Sequence, residues 1–169
     1  MKKILFLMLF LPMMAVAQND VITEVGGVKF GTAYSVAKSQ LEAVLGKADD
    51  DAKLQTGRLL SYFDVKWAGI TFDDAHFVFR PNGNTDILNK VFFTYLCQSR
   101  EDARAIRDKI ASELKKTYSL QSDDDGKGDI QYGGGTSPVD KNDFGFYISI
   151  QKGKLERFPY EVVLEYGPY

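Results

Sequence analysis

Residues 99–118, SREDARAIRDKIASELKKTY, form the longest helical pattern in the chain, and strand-like patterns lie on both sides of it. Apolar residues recur here at steps of three and four, which places them on one face of a helix. They are Ala103, Ile106, Ile110 and Leu114. Ser99 stands at the N-cap position, and Asp102 three residues later gives the spacing of a capping box. We therefore predict a helix from Glu101 to Tyr118.

Shorter patterns before and after this helix predict the remaining elements. A leading strand is expected at Val25–Lys29, and a helix at Ala33–Leu45, which Gly46 would end as a C′ glycine. Alternating or continuous apolar runs predict six further strands. These are Arg58–Val65, Ile70–Arg80, Leu88–Cys97, Ile130–Tyr132, Phe144–Gln151 and Tyr160–Tyr166. The polar stretches 49–56, 122–129 and 133–143 favour loops.

The order of these elements predicts an α+β fold, (β)-α-βββ-α-βββ, with the two helices packed on one face of an antiparallel sheet. Helix followed by three strands occurs twice, which leaves open a pseudo-twofold repeat with lobes at 25–97 and 99–166. The two halves share no residue-level identity, so such a repeat would be architectural only.

The first 17 residues have the three parts of a secretory signal peptide. Lys2 and Lys3 form a basic start, Ile4–Leu11 is an apolar run, and Ala15–Ala17 is an A-x-A cleavage site. The apolar run is too short to span a membrane, which takes about 20 residues. We expect a single domain, residues 18–169, that is exported to the periplasm or the extracellular space.

Composition narrows the classes of function. Loss of the two leader lysines would change the formal net charge from −2 to −4. A mildly acidic chain without a basic block argues against a nucleic-acid partner. The content of hydrophobic residues, 44%, indicates a packed domain. The single cysteine, Cys97, allows no internal disulfide and is expected to be buried, and no cofactor is predicted.

The residues Val28–Thr32, Val36 and Leu41–Asp49 follow the pattern F-G-(S/T), V, L-G-x-(P/A). This pattern resembles the opening of small bacterial envelope proteins with the β-lactamase-inhibitor-protein-like fold, shared by the small lipoprotein of the outer-membrane assembly machinery. The whole chain is similar to uncharacterised exported proteins of Gram-negative bacteria, although no lipid-modified cysteine follows the cleavage site. The resemblance implies a binding or scaffolding role and no catalytic residues.

His76 is the only histidine, so catalysis by a histidine-dependent nucleophile would have to use it. Alternation places Asp74 on its face and Asp73 on the other, but a half-buried strand histidine is the favoured interpretation. Neighbouring carboxylates in a strand point apart, so no catalytic residue is assigned. A hydrolase that acts on polysaccharide or peptide through unidentified carboxylates stays an alternative.

Three aspartates in the 122–129 stretch raise the question of calcium. Asp123, Asp125 and Asp129 supply hard oxygen ligands between glycines. Counted from Asp123, however, Lys127 and Gly134 occupy two EF-hand ligand positions. A solvated loop is therefore favoured, and a calcium-dependent module is a further alternative.

Aromatic residues carry the remaining functional signal. Trp67 is expected at a turn, and Tyr147 on the polar side of its strand. Exposed aromatic side chains on a sheet can serve recognition of proteins and sugars, although aromatic cross-strand pairs that only stabilise the sheet are the favoured interpretation of these residues. We therefore predict an exported, non-enzymatic binding domain that contacts an envelope or extracellular protein or glycan, with Trp67, Tyr147 and His76 as candidate contacts.

Overall fold

Strands make up most of the fold, with 53% of the described residues. The structure is a computed structural model that describes residues 21–124, 126 and 128–168, so the predicted leader lies outside the described residues. The elements in chain order are β1 Glu24–Val25, β2 Val28–Lys29, α1 Tyr34–Leu45, β3 Asp50–Leu54, β4 Gly57–Trp67, β5 Ile70–Asn82, β6 Thr85–Cys97, α2 Arg100–Leu114, β7 Leu120–Asp124, β8 Ile130–Gly134, β9 Phe146–Leu155 and β10 Phe158–Tyr166.

Eight of the strands form one antiparallel sheet in the order β3-β4-β5-β6-β10-β9-β8-β7, and β1 and β2 form a separate hairpin. Each helix is followed by a meander of four strands. The last strands of the two meanders, β6 and β10, pair at the centre of the sheet, with Cys97 opposite Tyr160 and Val91 opposite Tyr166. The two meanders therefore share one continuous sheet.

The predicted fold class is wrong. The sheet dominates the structure, and the two short helices, of 12 and 15 residues, do not form a layer on one of its faces. Each meander also has four strands rather than three. The missing strands, β3 and β7, lie at the two edges of the sheet, in stretches that were predicted to be loops.

Aromatic side chains fill the core. Five phenylalanines are fully buried, namely Phe72, Phe77, Phe79, Phe93 and Phe146. Phe93 is central, because it stacks on Trp67 with ring centroids 5.1 Å apart and contacts Tyr166 edge-on at 6.1 Å. Leu41 of α1 and Ile110 of α2 are buried in the same cluster. Since each buried side chain of this size contributes about 1.5–3 kcal/mol, this cluster is the main source of stability.

The ends of the helices agree with the sequence in part. Ser99 caps α2, because its hydroxyl accepts a 3.0 Å hydrogen bond from the Asp102 N–H. Gly46 ends α1 with a positive φ of +85°, but its ψ of −171° is not the αL conformation of a C′ glycine. The helix α2 ends at Leu114 rather than at Tyr118, whose ring packs edge-on against Phe146 at 5.3 Å.

The two sides of the sheet are defined by strand alternation. The inner side carries the buried core, and the outer side carries the residues between them. In β4 the alternation is not continuous along the strand, because Leu59 and Phe63 lie on the outer side and Val65 on the inner side. Leu60, Tyr62 and Val65 are buried, while Phe63 is 57% exposed. The cause is Asp64, whose φ of +54° shifts the alternation by one residue.

Within the described residues, no helix is long and apolar enough to cross a membrane.

Candidate binding surface on the sheet

The outer side of the sheet brings two of the predicted site residues into one cross-strand row. Ser61 lies opposite His76, and His76 opposite Phe92. Phe92 lies opposite Glu165, and Glu165 opposite Tyr147. Because directly opposed residues in an antiparallel sheet point to the same side, this row crosses five strands on the outer side.

His76 is held between two strands. Its Nδ1 lies 3.0 Å from the hydroxyl of Ser61, and its Nε2 lies 3.4 Å from Oδ1 of Asp74. The side chain of His76 is one-third exposed. Asp73 points away and accepts a 2.7 Å hydrogen bond from the backbone N–H of Leu96. The prediction that Asp74, and not Asp73, shares the face of His76 is confirmed.

Asp74 is the residue of this cluster whose charge is disfavoured by burial. Burial raises the pKa of its carboxyl group, and a hydrogen bond from Thr94 and the proximity of His76 offset this only in part. Its Oδ1 is buried and, within the described residues, has no hydrogen bond. This oxygen instead faces Nε2 of His76 at 3.4 Å, so it belongs to the polar cluster.

Ser61, His76 and Asp74 are the residue types of a catalytic triad, but the serine is not accessible to a substrate. The residue Ser61 is only 3% exposed, so its hydroxyl cannot reach a substrate carbonyl. It also lies in the middle of β4, where the strand pairs with β3 on one side and β5 on the other. Backbone N–H groups committed to two ladders cannot form an oxyanion hole. The three residues therefore form a partly buried polar cluster in which the serine is not accessible.

A groove of about 360 Å³ runs beside this cluster, across β5, β6 and β10. We call it the central groove. Its lining combines apolar and polar side chains, including Val78, Phe92, Val163, His76, Thr94 and Glu161. Val163 is only 5% exposed and forms an apolar part of the floor of the groove. Phe63 lies opposite Asp74 on the same side and is exposed.

Tyr147 lines a second depression, of about 400 Å³, on β8 and β9. Its hydroxyl donates a hydrogen bond to Asp143. Burial, followed by this hydrogen bond, raises the pKa of Tyr147 to about 12. The ring of Phe144 covers Gly133, where any side chain would overlap it. Tyr147 is thus a positioned part of the outer surface, separated from His76 by Phe92 and Glu165.

Trp67 does not lie with the other two candidates. It stacks on the buried ring of Phe93, and its indole N–H donates a 3.2 Å hydrogen bond to the hydroxyl of Tyr166. Trp67 therefore belongs to the inner side of the sheet, where it supports the core.

Two of the three calcium candidates lie within the described residues, and both are engaged by other groups of the protein. Both carboxylate oxygens of Asp129 are engaged, one by Arg100 Nε at 2.8 Å and the other by Arg104 Nε at 2.7 Å. Asp123 lies in the edge strand β7 and accepts the N–H of Asp124. Asp125 lies outside the described residues, so the calcium site stays a prediction. Among residues 21–124, 126 and 128–168, no three His, Cys, Asp or Glu side chains could hold a metal ion together.

Sequence reasoning missed three contributors to the surface: Ser61, Phe92 and Phe63. Alternation around His76 gave its neighbour in the same strand, Asp74. The partners in other strands depend on the register between strands, which a single sequence does not specify.

A comparison with known proteins finds no matching family, no curated relative and no solved structure of similar fold. The resemblance to small envelope proteins therefore stays a prediction, and the case for function rests on the outer side of the sheet.

Proposed function

We propose that this protein is an exported binding domain that contacts a protein or glycan of the cell envelope or extracellular space through the outer side of its sheet. The observation that carries the proposal is the central groove, with an apolar floor and the exposed Phe63 beside it. Buried cores of interfaces are apolar and aromatic with a polar rim, which is the arrangement found here.

The proposal of export is supported by the leader pattern of residues 1–17. Fractionation of cells that produce the full chain, followed by N-terminal sequencing, tests it. We expect a processed chain that begins near Gln18 in the periplasmic or extracellular fraction. Recovery of unprocessed chain from the cytoplasm would contradict this part of the proposal.

The binding surface is tested by affinity capture from periplasm or culture fluid, with the exported chain as bait. Phe63→Glu places a charge on the proposed contact surface, and Val44→Glu is a matched control at another exposed apolar residue. The side chains are 57% and 67% exposed, so neither change should unfold the protein. Loss of an aromatic anchor should lower the recovery of the partner about tenfold or more.

The outcome separates the possible partners. Protease treatment of the fluid should abolish capture of a protein partner, whereas glycosidase treatment should abolish capture of a glycan. Equal recovery with the parent, Phe63→Glu and Val44→Glu would overturn the proposed surface. A partner lost with Val44→Glu alone would move the contact to α1.

A further inference from the structure

A second cleft, of about 440 Å³, lies beside the first residues of β6 and shares no lining residue with the central groove. It is located where β10 has ended, since the last pair between the two strands is Val91 with Tyr166. Beyond this pair, Gly31 and Thr32 replace β10 as the backbone partners of β6, through hydrogen bonds of 2.8 and 2.9 Å to the backbone of Leu88. The end of β10 thus leaves room beside β6.

The walls of this cleft are apolar. They include Phe30, Ile87, Val139 and Pro168. Val139 lines the cleft and is 62% exposed, so it leaves apolar surface open beside the cavity. The volume falls within the range of about 300–1,000 Å³ that is typical of small-molecule sites.

Asn89 supplies a polar group to this apolar cleft. It is the extra residue of a β-bulge, because Leu88 pairs with Phe79 and Lys90 with Val78. Bulges redirect a side chain out of the regular alternation and are frequent beside functional sites. The side-chain nitrogen of Asn89 is buried and has no hydrogen-bond partner within the described part of the chain. A buried donor without an acceptor is unfavourable, so a ligand acceptor at this point would be stabilised.

Lys29 adds a positive charge to the same cleft. It is exposed and lines the cleft, and its flexible side chain can reach a ligand at the opening. Apolar walls, a buried N–H donor and one ammonium group together match a ligand with an apolar body and an anionic acceptor.

We propose that this cleft binds a small apolar molecule that ends in a carboxylate, such as a medium-chain acyl carboxylate. The carboxylate accepts the amide N–H of Asn89 and is attracted by the Lys29 ammonium, while the acyl chain lies against Phe30, Ile87 and Val139. This binding does not depend on the sheet surface proposed above.

Titration calorimetry of the exported chain with decanoate, decan-1-ol and decylamine tests the proposal. The three probes share an apolar chain and differ in charge and hydrogen-bonding group. Decanoate should bind about tenfold more tightly than the alcohol, because charge-assisted hydrogen bonds are about twice as strong as neutral ones. Decylamine should bind least, and added salt should weaken decanoate alone.

Variants of residues that line the cleft test whether decanoate binds there. Asn89→Asp places a carboxylate against the ligand and should weaken decanoate about tenfold or more, with decan-1-ol less affected. Asn82→Asp, at the exposed β5–β6 turn, is the matched control and should change neither. Lys29→Glu, at an exposed residue opposite Glu24 in the β1–β2 hairpin, should weaken decanoate and strengthen decylamine.

Equal affinity for the three probes would overturn the proposal, as would an unchanged decanoate affinity in both Asn89→Asp and Lys29→Glu. If Asn89→Asp does not fold, Lys29→Glu alone carries the test. No decanoate binding up to its solubility limit would also overturn it. Binding of an apolar peptide with a free C-terminus, without binding of decanoate, would assign the cleft to a protein partner instead.

Discussion

The ion cluster that joins α2 to the stretch before β8 gives the sharpest test of the fold. Asp129 is 6% exposed at its side chain and is bound by two guanidinium groups from successive turns of α2. Arg104 also donates a 3.1 Å hydrogen bond to the carbonyl of Gly128. We predict that Asp129→Asn, which keeps the shape of the side chain and removes its charge, destabilises the protein.

The magnitude follows from these contacts. Two hydrogen bonds to a charged group contribute about 1.5–3 kcal/mol each. The asparagine keeps one acceptor oxygen, and Arg100 and Arg104 are 37% and 43% exposed, so water can solvate them in the variant. The expected loss is about 2 kcal/mol, which corresponds to a fall in Tm of about 4–8 °C for a chain of this size.

The dependence on pH identifies the charge as the cause. Burial by itself would raise the pKa of Asp129, but the hydrogen bonds from Arg104 and Arg100 outweigh it and hold the pKa below the ordinary value of 3.8. A lowered pKa in the folded state means that the stabilisation is present above pH 3.8 and is lost as the pH falls through the folded-state pKa. The difference between the parent and Asp129→Asn should therefore be full at pH 7 and shrink below pH 3.8.

Urea denaturation at a series of pH values measures this difference. Asp50→Asn, at an exposed carboxylate of β3, is the control and should change stability by less than about 0.5 kcal/mol. The reasoning is refuted if Asp129→Asn matches this control at pH 7. It is also refuted if the deficit is the same at pH 3 as at pH 7.

Three further predictions follow from described contacts. Gly57→Ala should lower the free energy of unfolding by about 2 kcal/mol more than Gly83→Ala. Both glycines have a positive φ, but only a Cβ at Gly57 would overlap the carbonyl of Phe79. Equal thermal melts of the two variants would contradict this. Asp74→Asn should gain stability relative to the parent as the pH rises from about 4 to 7, because the raised folded-state pKa of Asp74 makes the ionised parent less stable in that range. A stability difference that changes in the opposite direction with pH in urea denaturation would exclude this prediction. A fluorophosphonate probe should leave the buried Ser61 unlabelled, and labelling that Ser61→Ala abolishes would revive the hydrolase alternative.

The sequence predicted the elements that bury one side of a regular pattern. In the strand predicted at Phe144–Gln151, large apolar residues alternate, and β9 lies there from Phe146 to Leu155. The helix capped by Ser99 was also found, since its apolar spacing and its cap agree. Such elements are visible because burial of one face leaves a period in the sequence.

The edges and the register were not visible in this way. The strand β3 carries Asp50, Asp51 and Lys53 within five residues and is exposed on both sides, so it has no alternation to detect. The outer-side surface depends on pairs such as Ser61 with His76, which are 15 residues apart and are joined only by register. The extra residue Asp64 was enough to place Val65 in the core although Phe63, two residues earlier, lies on the surface.

The acidic edge strands have a consequence for self-association. Asp50 and Asp51 lie on one edge of the sheet, and Asp123 and Asp124 on the other. An unpaired edge invites a strand from another molecule, and like charges on both edges repel such an approach. The protein should therefore remain dispersed at neutral pH, and replacement of these aspartates by asparagine should favour strand-paired oligomers.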